Sequence, residues 1–236
     1  MNQPPNRHER VFAIGDIHGS LDLLERTIAA IGRDVDRHGG SALTVTLGDY
    51  IDRGPASRGV IERLAGNPFA TPYIALKGNH ETLLEAFLSD PGGGEYWRRL
   101  GGLETLHSYG VPVADLMLGR NYAEASQRLR DVLPPHHLNF LRSLKTSHSH
   151  GGYFFCHAGV RPGVPLERQN DDDLMWIRDE FLCSTMDFGK IVVHGHTPVD
   201  APDVRPNRIN IDTGAFASGR LTCVVLEESG PRFLEI

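Results

Sequence analysis

The stretch Gly48-Asp49-Tyr50-Ile51-Asp52-Arg53-Gly54 sets two aspartates three positions apart between glycines, with an arginine directly after the second. It follows Leu43-Thr44-Val45-Thr46-Leu47, an apolar and β-branched run that reads as a strand. One such loop is ordinary turn chemistry, because Asp bonds locally to backbone and Gly takes positive φ. Repetition changes the reading. An apolar run at 11–14 ends in Gly15-Asp16-Ile17-His18-Gly19, and another at 73–76 ends in Lys77-Gly78-Asn79-His80-Glu81. Helical spacing follows each time. Leu21, Leu24, Ile28 and Ile31 mark the first helix, with Ser20 placed as its N-cap; Val60, Ile61 and Leu64 mark the second, and Leu83, Leu84, Phe87 and Leu88 the third. Strand, polar loop and helix in three successive units predict an α/β fold with loops at the carboxyl ends of strands, where such sheets carry their sites.

Over 90–150 the character changes. Pro91-Gly92-Gly93-Gly94 breaks the pattern, and amphipathic helices are expected at about 95–108, 121–131 and 135–145. This segment reads as a helical insertion over one end of the sheet. Strands resume at 153–156, 191–193, 209–211 and 221–226, the last two expected to pair antiparallel across a Gly-rich link. A length of 236 residues, 40% of them hydrophobic, suffices for one core, so 10–236 is read as a single domain behind a loose tail at 1–9. The formal net charge of −6 offers no basic face for nucleic acid. No apolar run reaches the roughly 18 residues of a membrane helix. Cys156, Cys183 and Cys223 form neither a disulfide framework nor a paired zinc spacing, and the polar start of the chain is no signal peptide, which together point to the cytoplasm.

The later strands also end on residues that bind metal. One runs into Cys156-His157-Ala158-Gly159, the next into Val193-His194-Gly195-His196-Thr197-Pro198. Imidazole mixed with carboxylate and amide oxygen suits Mn²⁺, Fe or Zn²⁺, and the lack of nearby thiolates argues against a structural zinc cluster. The donors outnumber what one ion needs. A two-metal site about 3.5–4 Å across requires a bridging carboxylate and activates a water for in-line attack on phosphorus. Cations would also remove the repulsion between crowded aspartates. Spacing alone does not choose between His194 and His196.

Taken together, Gly15-Asp16-Ile17-His18-Gly19, the stretch 48–54, Gly78-Asn79-His80-Glu81, His157 and Gly195-His196-Thr197 resemble the signature motifs of the phosphoprotein phosphatase family of calcineurin-like metallophosphoesterases. Trp176-Ile177-Arg178 and Ile211-Asp212-Thr213-Gly214-Ala215 resemble its small bacterial and phage-type serine/threonine members. The resemblance spans most of the chain outside 90–150. It implies a central β-sandwich of two mixed sheets flanked by helices. It implies two divalent ions, Mn²⁺ first, with Asp16 and His18 on one, Asp49 bridging, and Asn79, His157 and His196 on the other. His80 would be the general acid and Asp52 its orienting partner, while Arg53 and Arg178 would clamp phosphate oxygens. His194 then falls to a supporting place at the strand end.

Phosphodiesterase and nuclease members of the wider superfamily carry a histidine where this chain has Pro198. The expected activity is therefore that of a metal-dependent phosphomonoesterase, a serine/threonine protein phosphatase with phosphotyrosine as a further option. The alternative is a hydrolase of dinucleoside polyphosphates such as diadenosine tetraphosphate. The substrate is then a phosphoprotein or a phosphorylated small molecule, with neither nucleic acid nor membrane as partner, and the insertion is expected to set the choice. A metal-binding scaffold without chemistry is disfavoured, because every proposed catalytic position holds a competent residue. Elsewhere, His136 and His137 after Pro134-Pro135 read as a helix start, His148 and His150 as a turn, and Asp171-Asp172-Asp173 as a helix N-terminus. Lys77 is read either as charge near the site or as solvated.

Overall fold

Parity along the strands sorts the interior into layers. In the computed structural model, which describes residues 10–236, strand β1 (Arg10–Ile14) is buried along its whole length. Its Phe12 and Ile14 join one apolar cluster and its Val11 and Ala13 another, as the two-residue period of a strand requires. The tail expected at 1–9 lies outside the described residues. After β1 come α1 (Leu21–His38), β2 (Ala42–Thr46), α2 (Ser57–Ala65), β3 (Tyr73–Ala75) and α3 (Asn79–Ser89), the three strand–loop–helix units expected. The stretch that follows is helical, with α4 (Gly94–Trp97), α5 (Leu103–Ser108), α6 (Ala114–Met117), α7 (Tyr122–Val132) and α8 (Pro135–Ser143). Then come β4 (Ser147–His150), β5 (Tyr153–Cys156), α9 (Asp171–Trp176), α10 (Asp179–Leu182), β6 (Ile191–His194), β7 (Asp203–Val204) and β8 (Arg208–Asn210). The chain closes with α11 (Ala215–Ser218), β9 (Cys223–Glu227) and β10 (Gly230–Phe233).

The strands form two five-stranded mixed sheets, ordered β10-β9-β1-β2-β3 and β4-β5-β6-β8-β7. Each has three adjacent parallel strands: β1-β2-β3 at one end of the first sheet, with β9 and β10 antiparallel beyond β1, and β5-β6-β8 at the centre of the second, with β4 and β7 antiparallel on either side. Val11, Val45 and Val224 of the first sheet meet Phe155, Val193 and Ile209 of the second in a shared apolar layer. Helices cover the outer faces, with Leu24, Ile31, Ile61 and Leu84 packed in the cluster of Phe12 and Ile14. Leu174, Ile177 and Phe181 pack with Phe154 and Val192 on the second sheet. Strands buried on both faces in this way read as continuous apolar runs. Among the described residues, no helix is long and apolar enough to cross a membrane.

Four local expectations differ from the structure. The strands expected at 209–211 and 221–226 do not pair: β8 lies beside β6 in the second sheet and β9 beside β1 in the first. The link between them is far longer than a hairpin loop and holds α11, so it carries the chain from one sheet to the other. His148 and His150, expected in a turn, belong to edge strand β4, which β5 templates by antiparallel pairing that a polar sequence does not announce. Ser20 holds the N-cap position of α1, but its hydroxyl makes no capping hydrogen bond. The helix expected at 95–108 breaks at Gly101, where φ is 106°, and the Gly101 carbonyl accepts the Arg53 N–H at 3.1 Å.

Phe155 is fully buried between the sheets. Phe155→Ala should cost about 3–5 kcal/mol in urea denaturation, the range for deleting a large buried ring. A loss below about 1 kcal/mol would mean that the shared layer does not hold the sheets together.

Candidate metal centre

Tight turns at the strand ends aim the polar side chains inward. Among the described residues, seven non-glycine positions take positive φ, and five of them are His18, Asp49, Asp52, Arg53 and His196. That conformation costs such residues on the order of 1–2 kcal/mol each, so its concentration here marks a site that the surrounding fold imposes. Backbone presses close as well. A Cβ on Gly78 would collide with the Asp49 carboxylate, and one on Gly195 with that of Asp16. Glu81, fully buried, braces the turns: it accepts N–H bonds from Asp49 (2.9 Å), Tyr50 (2.8 Å) and Gly78 (2.9 Å). Tyr50 packs below, its hydroxyl 2.8 Å from Thr46 Oγ1.

The donors then face one another without protons between them. His18 Nδ1 lies 2.7 Å from the Ile51 carbonyl, and His157 Nδ1 lies 2.9 Å from the Leu47 carbonyl. Each Nδ1 must therefore carry the proton it donates, and in the neutral ring Nε2 is left as a lone pair. Burial lowers both rings, His18 to about 3, so both stay neutral near pH 7. Yet His18 Nε2 and His157 Nε2 each lie 3.4 Å from Asp49 Oδ2, and His157 Nε2 lies 2.9 Å from Asn79 Oδ1. Buried acceptors set against acceptors repel unless a cation sits among them. Ligand atoms of His18, Asp49 and His80 lie within 4.8 Å of one another, and so do those of Asp49, His157 and His196. Asp49 is common to both groups, and the donor set fits two divalent ions.

The remaining candidates have distinct places. His196 Nδ1 lies 2.9 Å from Asn79 Oδ1, its Nε2 is buried without a hydrogen-bond partner, and burial lowers the ring to about 2. Asp16 is not in either donor group; its oxygens accept the His196 N–H at 3.3 and 3.2 Å. Burial raises Asp16 strongly, and Asp212 and Asp49 add to the effect. Asp212, given no role from sequence, is raised to about 6 by burial and by Asp49. His194 stays outside both groups, buried with its ring against Phe181 at 5.0 Å. Lys77 is turned to Glu85 at 2.8 Å. The acidic run opens α9, where the Asn170 side chain accepts the Asp173 N–H.

Beside Asp49 stands a histidine–aspartate pair. His80 Nδ1 donates to Asp52 Oδ2 at 2.7 Å, and His80 Nε2 lies 3.8 Å from Asp49 Oδ2 and 3.2 Å from Arg53 Nη2. Burial lowers His80, but Asp49 and Asp52 outweigh it and raise the ring above its ordinary value. Two residues that the sequence did not mark hold Asp52. Trp97 Nε1 donates to Oδ2 at 2.7 Å, and the Thr105 hydroxyl donates to Oδ1. Both belong to the segment 94–108, where an aromatic on an amphipathic helix signals only core packing. Arg53 is half-buried, with its guanidinium 5.1 Å from the Phe216 ring. Arg178 is exposed, its Nη1 3.3 Å from Thr197 Oγ1, and its charge helps disfavour protonation of His157 and His196.

Residues 9–218 match the family described as calcineurin-like phosphoesterase. Serine/threonine-protein phosphatase 2 of Escherichia coli (strain K12) is 28% identical over 229 residues, covering 92% of this chain and 93% of that protein. The asymmetrical bis(5'-nucleosyl)-tetraphosphatase PrpE of Halalkalibacterium halodurans is also 28% identical, over 235 residues, 91% of this chain and 89% of that one. Among solved structures, a putative diadenosine tetraphosphatase superposes with a TM-score of 0.68 at 22% identity, covering 98% of this chain and 95% of its own, which speaks to the fold.

Trp97→Phe keeps most of the ring and removes only the N–H on Asp52. A hydrogen bond to a charged group is worth about 1.5–3 kcal/mol, so kcat on p-nitrophenyl phosphate should fall by roughly 10- to 100-fold with bound metal unchanged. Wild-type kcat would show that Asp52 needs no such brace.

Proposed function

The chain belongs to the calcineurin-like phosphoesterases, and on that premise we propose that it is a metal-dependent protein phosphatase acting on phosphoserine and phosphothreonine, with phosphotyrosine as a further substrate. The observation that carries the reading is the Asp52–His80 pair set beside Asp49, with Arg53 reaching the free nitrogen of His80. Two divalent ions, for which we propose Mn²⁺, would be held by Asp16, His18 and Asp49 and by Asp49, Asn79, His157 and His196; when bound they supply charge for phosphate oxygens and make a water acidic enough to attack phosphorus at neutral pH.

The protein's own groups take the remaining tasks. Arg53 and Arg178 offer planar guanidinium forks to phosphate oxygens. His80 Nε2 gives a proton to the departing alkoxide, so the side-chain hydroxyl leaves neutral. Asp52 accepts the Nδ1–H throughout, which fixes the ring's orientation and steadies the protonated form before transfer. Beside the half-buried Arg53 stands Phe216, an exposed aromatic ring.

A second reading, hydrolysis of dinucleoside polyphosphates, is favoured by a specific observation: the phosphatase of E. coli and the tetraphosphatase of H. halodurans share the same identity with this chain. The two are separated by kcat/KM on phosphopeptides and on diadenosine tetraphosphate. The proposal expects the phosphopeptides to be preferred, and a large preference for the nucleotide would transfer the conclusion to the second reading.

Two variants test the chemistry. Asp49→Asn should abolish turnover of p-nitrophenyl phosphate and reduce bound metal; retained turnover would remove Asp49 from the centre. His80→Asn should lower kcat by about 10²- to 10⁴-fold, the usual worth of a general acid, while metal content holds. Loss of metal with the rate would make His80 a ligand instead.

A further inference from the structure

Away from the strand ends, a second cluster of metal-ligating side chains joins the helical segment to α2. His136 and His137 lie in the first turn of α8, which packs against α2, the helix that follows the Asp49–Arg53 loop. His137 is fully buried: its Nδ1 lies 2.8 Å from the Tyr109 hydroxyl and its Nε2 2.8 Å from Glu62 Oε2. His136 Nε2 lies 3.0 Å from the same Glu62 oxygen. Ligand atoms of all three residues lie within 4.8 Å of one another. We propose that Glu62, His136 and His137 form a third metal site, for Zn²⁺, which clamps α8 to α2 independently of the catalytic centre.

The chemistry fits this assignment. Two imidazoles and a carboxylate are a common zinc donor set, and the exposed side chains of Glu62 and His136 leave a fourth position to water. Bond lengths of about 2.0–2.2 Å in tetrahedral geometry put donors about 3.3–3.5 Å apart. The two spacings to Glu62 Oε2, 2.8 and 3.0 Å, are a few tenths of an ångström shorter, a difference that the solvent-facing Glu62 and His136 side chains can supply. Tyr109 provides the outer support a ligating histidine needs. Its hydroxyl can accept as readily as donate, so Nδ1 can hold the ring proton and leave Nε2 as a lone pair. Burial keeps Tyr109 protonated and lowers His137, which holds that ring neutral. Without metal the His137 proton sits instead on Nε2, where it and His136 donate to Glu62 and hold that carboxyl below its ordinary range; a bound ion takes the place of those protons. Arg58 is the opposing charge, near enough to lower His137 further, and the Glu62 carboxylate stands against it.

Elemental analysis of the full-length protein, dialysed against micromolar Zn²⁺, tests the site. His136 is exposed, so His136→Ala should fold; it should bind one zinc fewer per chain than wild type, as should Glu62→Gln, with turnover of p-nitrophenyl phosphate unchanged. With Mn²⁺ saturating, added Zn²⁺ should raise the melting temperature of wild type and not of His136→Ala. His107→Ala, an exposed histidine elsewhere, should keep the wild-type zinc count. Equal zinc in wild type and His136→Ala, or an equal loss in the His107→Ala control, would overturn the assignment.

Discussion

The organising constraint is a set of buried electron-pair donors that face one another with no proton to share. Asp49 stands within 3.4 Å of two imidazole nitrogens whose other nitrogens are committed to backbone carbonyls. Asp16, Asp49, Asp52, Glu81 and Asp212 are all buried in the same region. Each ionised carboxylate left unpaired there would cost several kcal/mol. The protein meets part of that cost internally. Backbone N–H groups serve Glu81 and Asp16, and Trp97, Thr105 and His80 serve Asp52. Asp49 Oδ1 accepts one backbone N–H, from His80 at 3.0 Å, while Oδ2 and the imidazoles facing it are left to cations.

Much of the remaining architecture follows from bringing those donors together. Two sheets, each with three adjacent parallel strands, deliver strand ends to one place, and left-handed turns then aim the side chains. Those turns are unfavourable locally. They persist because Glu81 ties three backbone N–H groups from two loops and because the glycines beside them allow backbone and carboxylate to touch. The helical segment after α3 contributes more than a cover. Through Trp97, Thr105 and the Gly101 carbonyl it grips the loop that carries Asp52 and Arg53. The helical segment is thus bonded directly to the Asp52–His80 pair beside Asp49 and to the backbone of Arg53.

The sequence was informative where a function requires a residue type at a local position. Asp, Asn and His after successive apolar runs were legible because a strand, its end and the next helix are all short-range features. The mixed sheets followed from the resemblance those motifs carry. Pairing was harder. Nothing local to 209–211 and 221–226 says that the link crosses between sheets, and the polar run of β4 becomes a strand only because β5 lies beside it. Trp97 and Thr105 were invisible for the same reason: their value comes from a partner about fifty positions away in the chain, at Asp52. His194 and His196 could not be ranked by spacing. In the fold, His194 is packed against Phe181, whereas His196 reaches Asn79.

The most direct test of the central claim is anomalous diffraction from crystals of the Mn²⁺-loaded protein, collected at the manganese edge. Two peaks about 3.5–4 Å apart, one on either side of the Asp49 carboxylate, are the predicted result. A single peak, or ions bound away from Asp49 and its imidazoles, would contradict it.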